Sequence, residues 1–342
     1  MQHYRVGIVG AGFGLTAHLP ALRAHPRFEV VALASPSTAE RAAREANVPS
    51  AFTSCEAMLA GCDLDVVTVA SPPFRHRDDV LAALAAGKHV LCEKPFALDV
   101  AGARAMLAAA QAAGTACGIA HEFRFVPQAQ AVKELIVNGH LGPLRNIEIT
   151  LLRSSLRSDS EAARSWWFDR AAGGGLGGSA LSHLIDYASW LAGRAPLATK
   201  GLLRTANPRR VDASGAFVSS ADDGAFALID YGEGLVARLC ADATVAVDGF
   251  TCAAHGDRRT AVASGANIVD VMLYATDAEG TDELECAPSP YAAFAGVNGN
   301  VPLLMELYDQ LVKRIEGTPS ALPTFEEGVA TQAALAAIGY GS

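Results

Sequence analysis

The sequence predicts an α/β protein with a doubly wound parallel sheet at residues 1–120 and a second α/β domain at residues 121–342. In the first third, short and almost continuously apolar runs alternate with helical stretches, the pattern of a parallel sheet covered on both faces. After about residue 121 the apolar runs become longer and alternate in part, which predicts an antiparallel or mixed sheet. A chain of 342 residues is long for one domain and sufficient for two, each with its own core.

The first domain is predicted to alternate strands with helices. Apolar and β-branched residues fill the strand segments, and Ser71-Pro72-Pro73 and Gly87 end the elements that precede them. The predicted strands are residues 4–9, 28–34, 65–70, 89–92 and 117–120, and the predicted helices are residues 16–24, 39–46, 77–86 and 100–113.

The second domain is predicted to contain longer strands followed by helices near the C-terminus. Turn sequences such as Asp223-Gly224 and Gly232-Glu233-Gly234 separate the strand segments. The predicted strands are residues 144–153, 224–231, 235–241 and 271–274, and the predicted helices are residues 303–315 and 326–338.

Charge and cysteine content exclude several classes of partner. The chain has 27 Lys and Arg against 36 Asp and Glu and shows no concentrated basic stretch, so no nucleic-acid partner is expected. No run of 18 strongly apolar residues occurs and the first residues lead straight into a strand pattern, so we expect neither a membrane partner nor a signal peptide. The seven cysteines are scattered without a C-x-x-C pair, which fits a reducing cytoplasm and indicates no metal site.

A glycine turn follows the first predicted strand and opens the first predicted helix. Glycines at 10, 12 and 14 permit a tight turn and let backbone N–H groups approach a pyrophosphate at the positive end of the helix. The G-x-G-x-x-G pattern asks for glycine at 15, where this chain has Leu15, so the last glycine is displaced. A purely structural turn is the alternative. The predicted cofactor-binding residues here are Gly10, Gly12, Phe13, Gly14 and Leu15.

The end of the second strand bears on the choice between NAD and NADP. An acidic residue there would hold the ribose 2′-hydroxyl, but the sequence continues with Ser35-Pro36-Ser37-Thr38. Without a carboxylate, a 2′-phosphate meets no repulsion and finds hydroxyl donors, which favours NADP, with Ser35 as a cofactor residue. The alternative is that these hydroxyls cap the next helix.

A lysine follows the predicted strand 89–92 within the tripeptide Glu93-Lys94-Pro95. Ligands of such folds bind beyond the carboxyl ends of the strands, where Lys94 would project. A lysine there can stabilise the alkoxide that develops on a substrate hydroxyl during hydride transfer.

These stretches, taken together, resemble the Gfo/Idh/MocA family, the relatives of glucose–fructose oxidoreductase and inositol dehydrogenase. The resemblance runs in order over essentially the whole chain, and E-K-P after A-G-K-H-V-L is its most specific part. The matching stretches are GIVGAGFG and AHLPAL within 7–22, ASPPFRH at 70–76, AGKHVLCEKPFALD at 86–99, HEFRFVPQ at 121–128, SWWFDRAAGGGLGGSALSHLIDYASWLAG at 165–193, and the segments near Tyr291 and at 325–328.

The resemblance implies an N-terminal Rossmann domain and a C-terminal domain whose open, mostly antiparallel sheet commonly joins a homodimer or homotetramer. It implies a nicotinamide cofactor and sugar, cyclitol or polyol substrates. The E-K-P lysine, here Lys94, is the family's catalytic lysine, and its bond to proline is often cis. Further residues that it places at the dinucleotide are Ser71, Pro72, Pro73, His76, Glu93 and Glu122, with Arg124 near the nicotinamide and the substrate.

The family's second motif, D-x-x-x-H after a glycine run, matches this chain with one departure. Its histidine, the usual proton donor or acceptor, corresponds to His183, whereas its aspartate corresponds to Ser179. Asp186 lies three residues after His183 on the same helix face and either compensates for the missing acid or supports the fold. Trp166 and Trp167 precede the glycines and are candidates for stacking on a sugar ring or for the core.

The sequence therefore predicts an NAD(P)-dependent oxidoreductase in which Lys94 and His183 manage the proton and the cofactor exchanges a hydride with a polyol, sugar or ketone. Two alternatives stay open. An NAD-dependent glycosidase would use transient oxidation with no net redox change, and a non-catalytic dinucleotide-binding sensor would explain Ser179 in place of the acid.

Overall fold

Parallel strands form the sheet of the first of two compact units. The computed structural model describes residues 2–341; the first unit holds the residues up to Glu122 with Ser289–Val329, and the second holds Phe123–Pro288 with the residues from Ala330. The strands of the first sheet are β1 Tyr4–Val9, β2 Phe28–Ala34, β3 Ser50–Phe52, β4 Val66–Val69, β5 His89–Cys92 and β6 Cys117–Ile119. Their order is β3-β2-β1-β4-β5-β6, and every neighbouring pair is parallel. This order is that of a Rossmann sheet and confirms the predicted doubly wound fold.

The helices between these strands differ from the predicted ones mainly at their starts. They are α1 Leu19–Ala24, α2 Ala39–Glu45, α3 Cys55–Gly61, α4 Pro73–Ala85 and α5 Val100–Ala113. The segment Gly14–His18 is a π-helical turn before α1, so α1 begins later than the predicted helix 16–24. α4 begins at Pro73, four residues before the predicted start, because proline is well tolerated in a first helical turn. The short β3 and α3 were not predicted.

The second unit is built on an eight-stranded sheet of order β16-β15-β14-β13-β7-β12-β11-β8. These strands are β7 Leu144–Leu152, β8 Ala198–Arg204, β11 Gly224–Gly232, β12 Leu235–Asp242, β13 Gly249–Gly256, β14 Thr260–Asn267, β15 Asp270–Thr276 and β16 Thr281–Leu284, and a separate hairpin joins β9 Arg209–Asp212 to β10 Gly215–Val218. Among the neighbouring pairs only β7 with β12 is parallel, which confirms a mixed, mostly antiparallel sheet.

Two helices of the second unit, α6 Pro127–Val137 and α7 Ser182–Ala192, pack against this sheet. Strand residues that face them, such as Ile149 and Leu239, are buried. Residues of the opposite face, such as Leu202 and Leu228, are about half exposed at 52% and 50%. The alternation of buried and exposed residues along each strand therefore leaves one face of the sheet open to solvent.

The chain ends with α8 Val301–Ile315 and α9 Phe325–Ala336. In the first unit α8 packs against α1, and its apolar face is buried together with Tyr308. The predicted helices 303–315 and 326–338 correspond to these elements. The predicted division into a dinucleotide-binding domain at residues 1–120 and a substrate-binding domain at residues 121–342 stays a prediction.

Candidate active site

Two of the three glycines in the turn after β1 are required by the fold, and the third is not. Gly10 has a φ of +109°, and a Cβ atom built there would lie 2.2 Å from the carbonyl oxygen of Ala70. A Cβ atom at Gly14 would lie 2.8 Å from Cγ2 of Ile8, so this glycine permits the helix start to approach β1. At Gly12 no described heavy atom comes within 4 Å of the built Cβ position. Gly10 and Gly14 thus shape the turn, and Gly12 leaves it open on its exposed side.

The π-helical turn explains how the chain manages with Leu15 where the common pattern has glycine. The N–H of Leu19 donates to the carbonyl oxygen of Gly14, five residues earlier, and Gly14 rather than residue 15 makes the close contact with β1. The hydrogen bonds inside the helix start with the N–H of Leu15, which donates to Gly12 at 3.1 Å. The amides that precede it are those that a helix start presents to an anion.

Ser35 lies directly after β2 and is mostly buried at 8% exposure. Its hydroxyl is 2.8 Å from that of Thr38, the residue before α2. Within the described chain the Thr38 side chain makes no capping hydrogen bond to α2, so helix capping does not account for this hydroxyl pair.

Lys94 lies at the carboxyl end of β5 between a carboxylate and an aromatic ring. Its Nζ lies 3.7 Å from Oε2 of Glu93 and 5.6 Å from the ring centre of Phe13 in the glycine turn. The Lys94–Pro95 peptide bond is cis, as the family resemblance implies. The buried Glu93 also contacts Nε2 of His18 at 2.8 Å, and its pKa is lowered by Lys94 and His18 against the opposing effect of burial. Glu93 is therefore an ionised carboxylate beside the lysine.

His76 connects the loop after β4 to the loop after β5. Its Nδ1 is 2.9 Å from the carbonyl oxygen of Pro95, and its Nε2 is 2.7 Å from that of Ser71. Burial lowers the pKa of His76, so the ring is neutral near pH 7 and donates to one of the two carbonyls. Ser71 donates from its hydroxyl to Asp79 at 2.7 Å. Pro72 and Pro73 form the start of α4 beside these contacts.

The second unit positions His183 on α7. The imidazole is buried and stacks on the ring of Phe123, with 3.9 Å between ring centres and 8° between planes. Both carboxylate oxygens of Asp186 accept from the guanidinium of Arg124, at 2.7 and 2.5 Å, with both side chains buried. This bidentate pair ties α7 to the short 3₁₀-helix Glu122–Phe125, and it shows that Asp186 has a structural role.

Ser179 lies in a π-helical turn, Gly177–Leu181, that leads into α7. Its hydroxyl donates to the carbonyl oxygen of Gly175 at 2.7 Å, so only its lone pairs remain for a ligand. Trp166 is 39% exposed, and Trp167 is half-buried with its ring edge-on to Phe168 at 5.1 Å.

Sequence reasoning missed two features of these sites. His18 and Tyr308 form part of a buried polar chain behind Lys94, although they are 290 residues apart. Phe123 supports His183 by stacking. The only local signal was the position of His18 in the A-H-L-P stretch, because no sequence pattern shows which side chain of α8 faces α1.

Other kinds of site find little support within residues 2–341. No group of three or more His, Cys, Asp or Glu side chains in this part of the chain is arranged to hold a metal ion. Nor does any helix of the described residues combine the length and apolar character that a membrane crossing needs. All seven cysteines are free thiols. Cytoplasmic location stays a prediction.

Comparisons with known proteins connect both units to one family. Residues 4–121 match the family described as "Oxidoreductase family, NAD-binding Rossmann fold", and residues 129–262 match the GFO/IDH/MocA C-terminal domain. An uncharacterised oxidoreductase of Synechocystis is 36% identical over 192 residues, covering 56% of this chain and 52% of the relative. Levoglucosan dehydrogenase of Pseudarthrobacter phenanthrenivorans is 31% identical over 226 residues, covering 63% and 57%. The chain thus aligns with little more than half the length of these curated relatives.

Solved structures match over nearly the full length. Levoglucosan dehydrogenase in complex with NADH and levoglucosan superposes with a TM-score of 0.86 at 25% identity, covering 98% of this chain and 96% of that one. Because family profiles match in order across both units, and the Rossmann strand order, the glycine turn and the E-K-P lysine are all present, the chain belongs to the Gfo/Idh/MocA oxidoreductase family.

Proposed function

We propose that the protein is an NAD(P)-dependent oxidoreductase that exchanges a hydride with a sugar, a cyclitol or a related polyol or ketone. The observation that carries this proposal is the contact between the glycine turn and the lysine: Nζ of Lys94 lies over the ring of Phe13 at 5.6 Å. A phosphate-binding turn and a cationic proton carrier thus meet at the carboxyl edge of one parallel sheet, where ligands of this fold bind.

The residues of the first unit fit a dinucleotide. Gly12 leaves the turn open on its exposed side, and the amides at the helix start suit a pyrophosphate. We assign Gly10, Gly12, Phe13, Gly14 and Leu15 to this binding, with Ser71, Pro72 and Pro73 on the neighbouring loop and Glu122 at the end of the first unit. When bound, a nicotinamide supplies the hydride chemistry that no amino-acid side chain provides.

Lys94 handles the substrate proton in this proposal. In its neutral form the amine takes the proton of a substrate hydroxyl during oxidation; as an ammonium it stabilises negative charge on that oxygen and returns the proton during reduction. Glu93 supports this role by balancing the charge of the ammonium at 3.7 Å. His76 and the carbonyl of Pro95 fix the loop that carries the lysine.

In the second unit we assign proton transfer to His183 and substrate contacts to Arg124, Trp166, Trp167 and Ser179. The family resemblance supports pairing His183 with Lys94 in one reaction. Since the Ser179 hydroxyl donates to Gly175, it would accept a hydrogen bond from a substrate hydroxyl rather than donate one. Arg124 also holds α7 in place through its two hydrogen bonds to Asp186.

We propose NADP as the preferred cofactor because Ser35 and Thr38 present hydroxyls and no carboxylate at the end of β2. The related levoglucosan dehydrogenase was solved with NADH, so the comparison of both cofactors is a direct test. A clear preference for NADH would overturn this part of the proposal and leave the oxidoreductase assignment intact.

We also propose that the open face of the eight-stranded sheet joins two copies of the chain as a homodimer or as part of a homotetramer. One row of paired residues on this face contains the exposed side chains Leu202 and Met272, and the next row contains Leu228. Apolar side chains concentrated on a sheet face are typical of a surface that is covered in an oligomer.

Turnover with a panel of substrates tests the function. Purified protein should oxidise at least one polyol or cyclitol, or reduce a ketose or aldose, with NADP⁺/NADPH or NAD⁺/NADH followed at 340 nm. Folded protein without turnover on any of them would contradict the proposal. Cofactor that co-purifies unconsumed, together with release of an aryl alcohol from a glycoside, would instead identify the glycosidase.

The variant Ser179→Asp distinguishes an active oxidoreductase from a non-catalytic dinucleotide-binding sensor. If the natural chain binds cofactor without turnover and this variant gains turnover from near zero, Ser179 marks a lost activity. A loss of turnover in the variant shows that Ser179 belongs to a working site.

A further inference from the structure

We propose that His18 is a positioning residue for Lys94: by holding one oxygen of Glu93, it sets the orientation and the charge that the other oxygen presents to the lysine. This inference rests on the proposed function for its biological meaning. The contacts that support it all lie within the first unit, and they can be tested separately from the proposed function.

A continuous polar chain leads from the core of the first unit to Lys94. The hydroxyl of Thr68 on β4 lies 3.0 Å from the hydroxyl of Tyr308 on α8. That hydroxyl lies 2.9 Å from Nδ1 of His18, and Nε2 of His18 lies 2.8 Å from Oε1 of Glu93. The other oxygen, Oε2, accepts from the backbone N–H of Lys94 at 3.3 Å and lies 3.7 Å from its Nζ. Four separate elements thus contribute to the support of one lysine.

The polar chain from Thr68 to Glu93 is almost fully sheltered from water. Thr68, His18 and Tyr308 are 0% exposed, and Glu93 is 5% exposed. Buried polar groups must satisfy each other, because water cannot replace a missing partner. A change at one member therefore changes the hydrogen bonds of its neighbours.

When His18 is neutral, the chemistry of the groups fixes the direction of every bond. Glu93 is ionised and can only accept, so Nε2 of His18 carries the hydrogen. In the neutral ring Nδ1 then accepts from Tyr308, and the Tyr308 oxygen accepts from Thr68. Burial raises the pKa of Tyr308 far above its ordinary value, so it keeps its hydroxyl proton. Tyr308 thereby selects the His18 tautomer that donates to Glu93.

The same polar chain of hydrogen bonds also accommodates a protonated His18. Nδ1 would then donate to Tyr308, and Tyr308 would donate to Thr68, with all distances unchanged. The charged and titratable groups facing Glu93 are Lys94, His18 and His76, with Asp79 next to His76 through Ser71. The ring of Phe13 touches His18 edge-on at 5.5 Å. How strongly Glu93 interacts with Lys94 therefore depends mainly on the hydrogen bond that His18 makes to the other oxygen of the carboxylate.

Removal of His18 should strengthen the hold of Glu93 on the lysine proton. In His18→Leu, Oε1 of Glu93 loses its hydrogen-bond donor. Lys94 then becomes the main group that balances the charge of the carboxylate. A more closely paired ammonium gives up its proton at higher pH. His18→Gln retains an N–H donor and should restore the natural behaviour. Tyr308→Phe releases the His18 tautomer and should give an intermediate change.

The experiment is chemical labelling of Lys94 as a function of pH, read by mass spectrometry. Acetic anhydride in trace amounts reacts only with the free amine, so the labelling curve reports the pH midpoint of Lys94 without any turnover. We expect His18→Leu to raise this midpoint, Tyr308→Phe to raise it by less, and His18→Gln to stay near the natural chain. Where turnover is measurable, the alkaline rise of kcat should move in parallel.

A matched control is available on the same side of the unit. His25 is also buried, and its Nε2 contacts Oδ1 of Asp309 on α8 at 3.1 Å, away from Lys94. His25→Leu should lower the melting temperature in the same way as His18→Leu and leave the labelling midpoint of Lys94 unchanged.

Two results would overturn the inference: an unchanged midpoint in folded His18→Leu, or an equal shift in His25→Leu. If His18→Leu does not fold, an unchanged midpoint in Tyr308→Phe overturns it as well. Absence of turnover in the natural chain would count against the proposed function and would leave the labelling result decisive for His18.

Discussion

At the scale of single residues, Lys94 is placed by contacts of three different kinds. The Glu93 carboxylate balances its charge, the Phe13 ring lies against its ammonium, and His76 holds the carbonyl of the next residue. Its side chain is 17% exposed, so it is sheltered and still reachable by a substrate. This placement supports the proposed role of Lys94 in proton transfer.

Lys94→Met should lower kcat by roughly 10²- to 10⁴-fold, because general acid–base groups contribute factors of this size. Cofactor affinity should fall by a much smaller factor, since every residue of the glycine turn is retained and only the contact of Phe13 with the lysine is lost. Steady-state kinetics and a cofactor titration measure the two effects. Lys88→Met, before the start of β5 on the same loop–strand unit, is the control and should retain full activity. Equal activity of both variants would refute a catalytic role for Lys94.

The glycine turn permits a sharp comparison between two alanine substitutions. Gly10→Ala places a Cβ atom 2.2 Å from the Ala70 oxygen at a positive φ, and should destabilise the fold by more than about 2 kcal/mol. Gly12→Ala meets no described atom within 4 Å and should melt within about 2 °C of the natural chain. Thermal unfolding measures both. A large loss of stability in Gly12→Ala would show that this glycine serves the fold rather than a ligand.

At the residue scale, the sequence pointed to candidate residues where the chemistry is local. The glycine turn and the E-K-P lysine are contiguous motifs, so their positions could be predicted from a few letters. His18 and Tyr308 could not be joined in this way, because their hydrogen bond spans 290 residues. Ser179 was predicted as a departure from the family motif, and only the structure shows that its hydroxyl donates to Gly175.

At the scale of elements, the start of the helical segment that carries His183 depends on a buried acid. Oδ2 of Asp222 accepts from the N–H of Gly177 at 2.6 Å, at the first residue of the π-helical turn that leads into α7. Burial raises the pKa of Asp222 from its ordinary value of 3.8 to about 6. A carboxyl group with a raised pKa retains its proton in the folded state at a pH where the unfolded chain has lost it.

Asp222→Asn should therefore change the pH dependence of stability. In the natural chain, unfolding releases the Asp222 proton between about pH 4 and pH 6, so this group's stabilisation is complete below pH 4 and falls by up to about 3 kcal/mol by pH 6. The asparagine amide does not titrate, so the variant does not lose this stability. Between pH 4 and pH 7 its free energy of unfolding should therefore rise by that amount relative to the natural chain. Urea unfolding at several pH values measures the difference. Asp270→Asn, at the exposed first residue of β15, is the control, and a pH-independent difference for Asp222→Asn would contradict this prediction.

Elements with a strong pattern were predicted well, and short or exposed ones were not. The predicted bounds of β1, β2, β5 and α5 agree with the structure, because continuous apolar runs and clear stop signals define them. β8 Ala198–Arg204 escaped prediction because its residues are mostly exposed and include Lys200 and Gly201. The three residues of β3 are too few to show a period.

At the scale of the whole molecule, the open sheet face predicts self-association. Leu228 lies between Lys200 and Arg238 on neighbouring strands. Leu228→Arg would place three cations side by side on each copy and should convert the oligomer to monomers at micromolar concentration. Light scattering after size exclusion measures the mass. Val137→Arg, at the exposed end of α6, is the control and should leave the mass unchanged. A natural chain that is already monomeric would refute the proposed interface.

The fold class of the whole chain was predictable because a change of pattern near residue 121 separates a parallel sheet from a mixed one. The inclusion of Ser289–Val329 in the first unit was not predicted. α8 is amphipathic, and the periodicity of a helix shows that one face is buried without showing which partner buries it. The polar chain behind Lys94 depends on this long-range packing.

Dinucleotide binding at the glycine turn is the basis of the proposed function. The most direct measurement is a fluorescence titration of the purified protein with NADPH and NADH in parallel, after any co-purified dinucleotide has been removed, with Gly12→Ala as the matched variant. We predict saturable binding of at least one reduced cofactor and an affinity at least about tenfold weaker in the folded Gly12→Ala variant, since its methyl group fills the open side of the turn. Binding of neither cofactor by the folded natural chain would contradict the central claim.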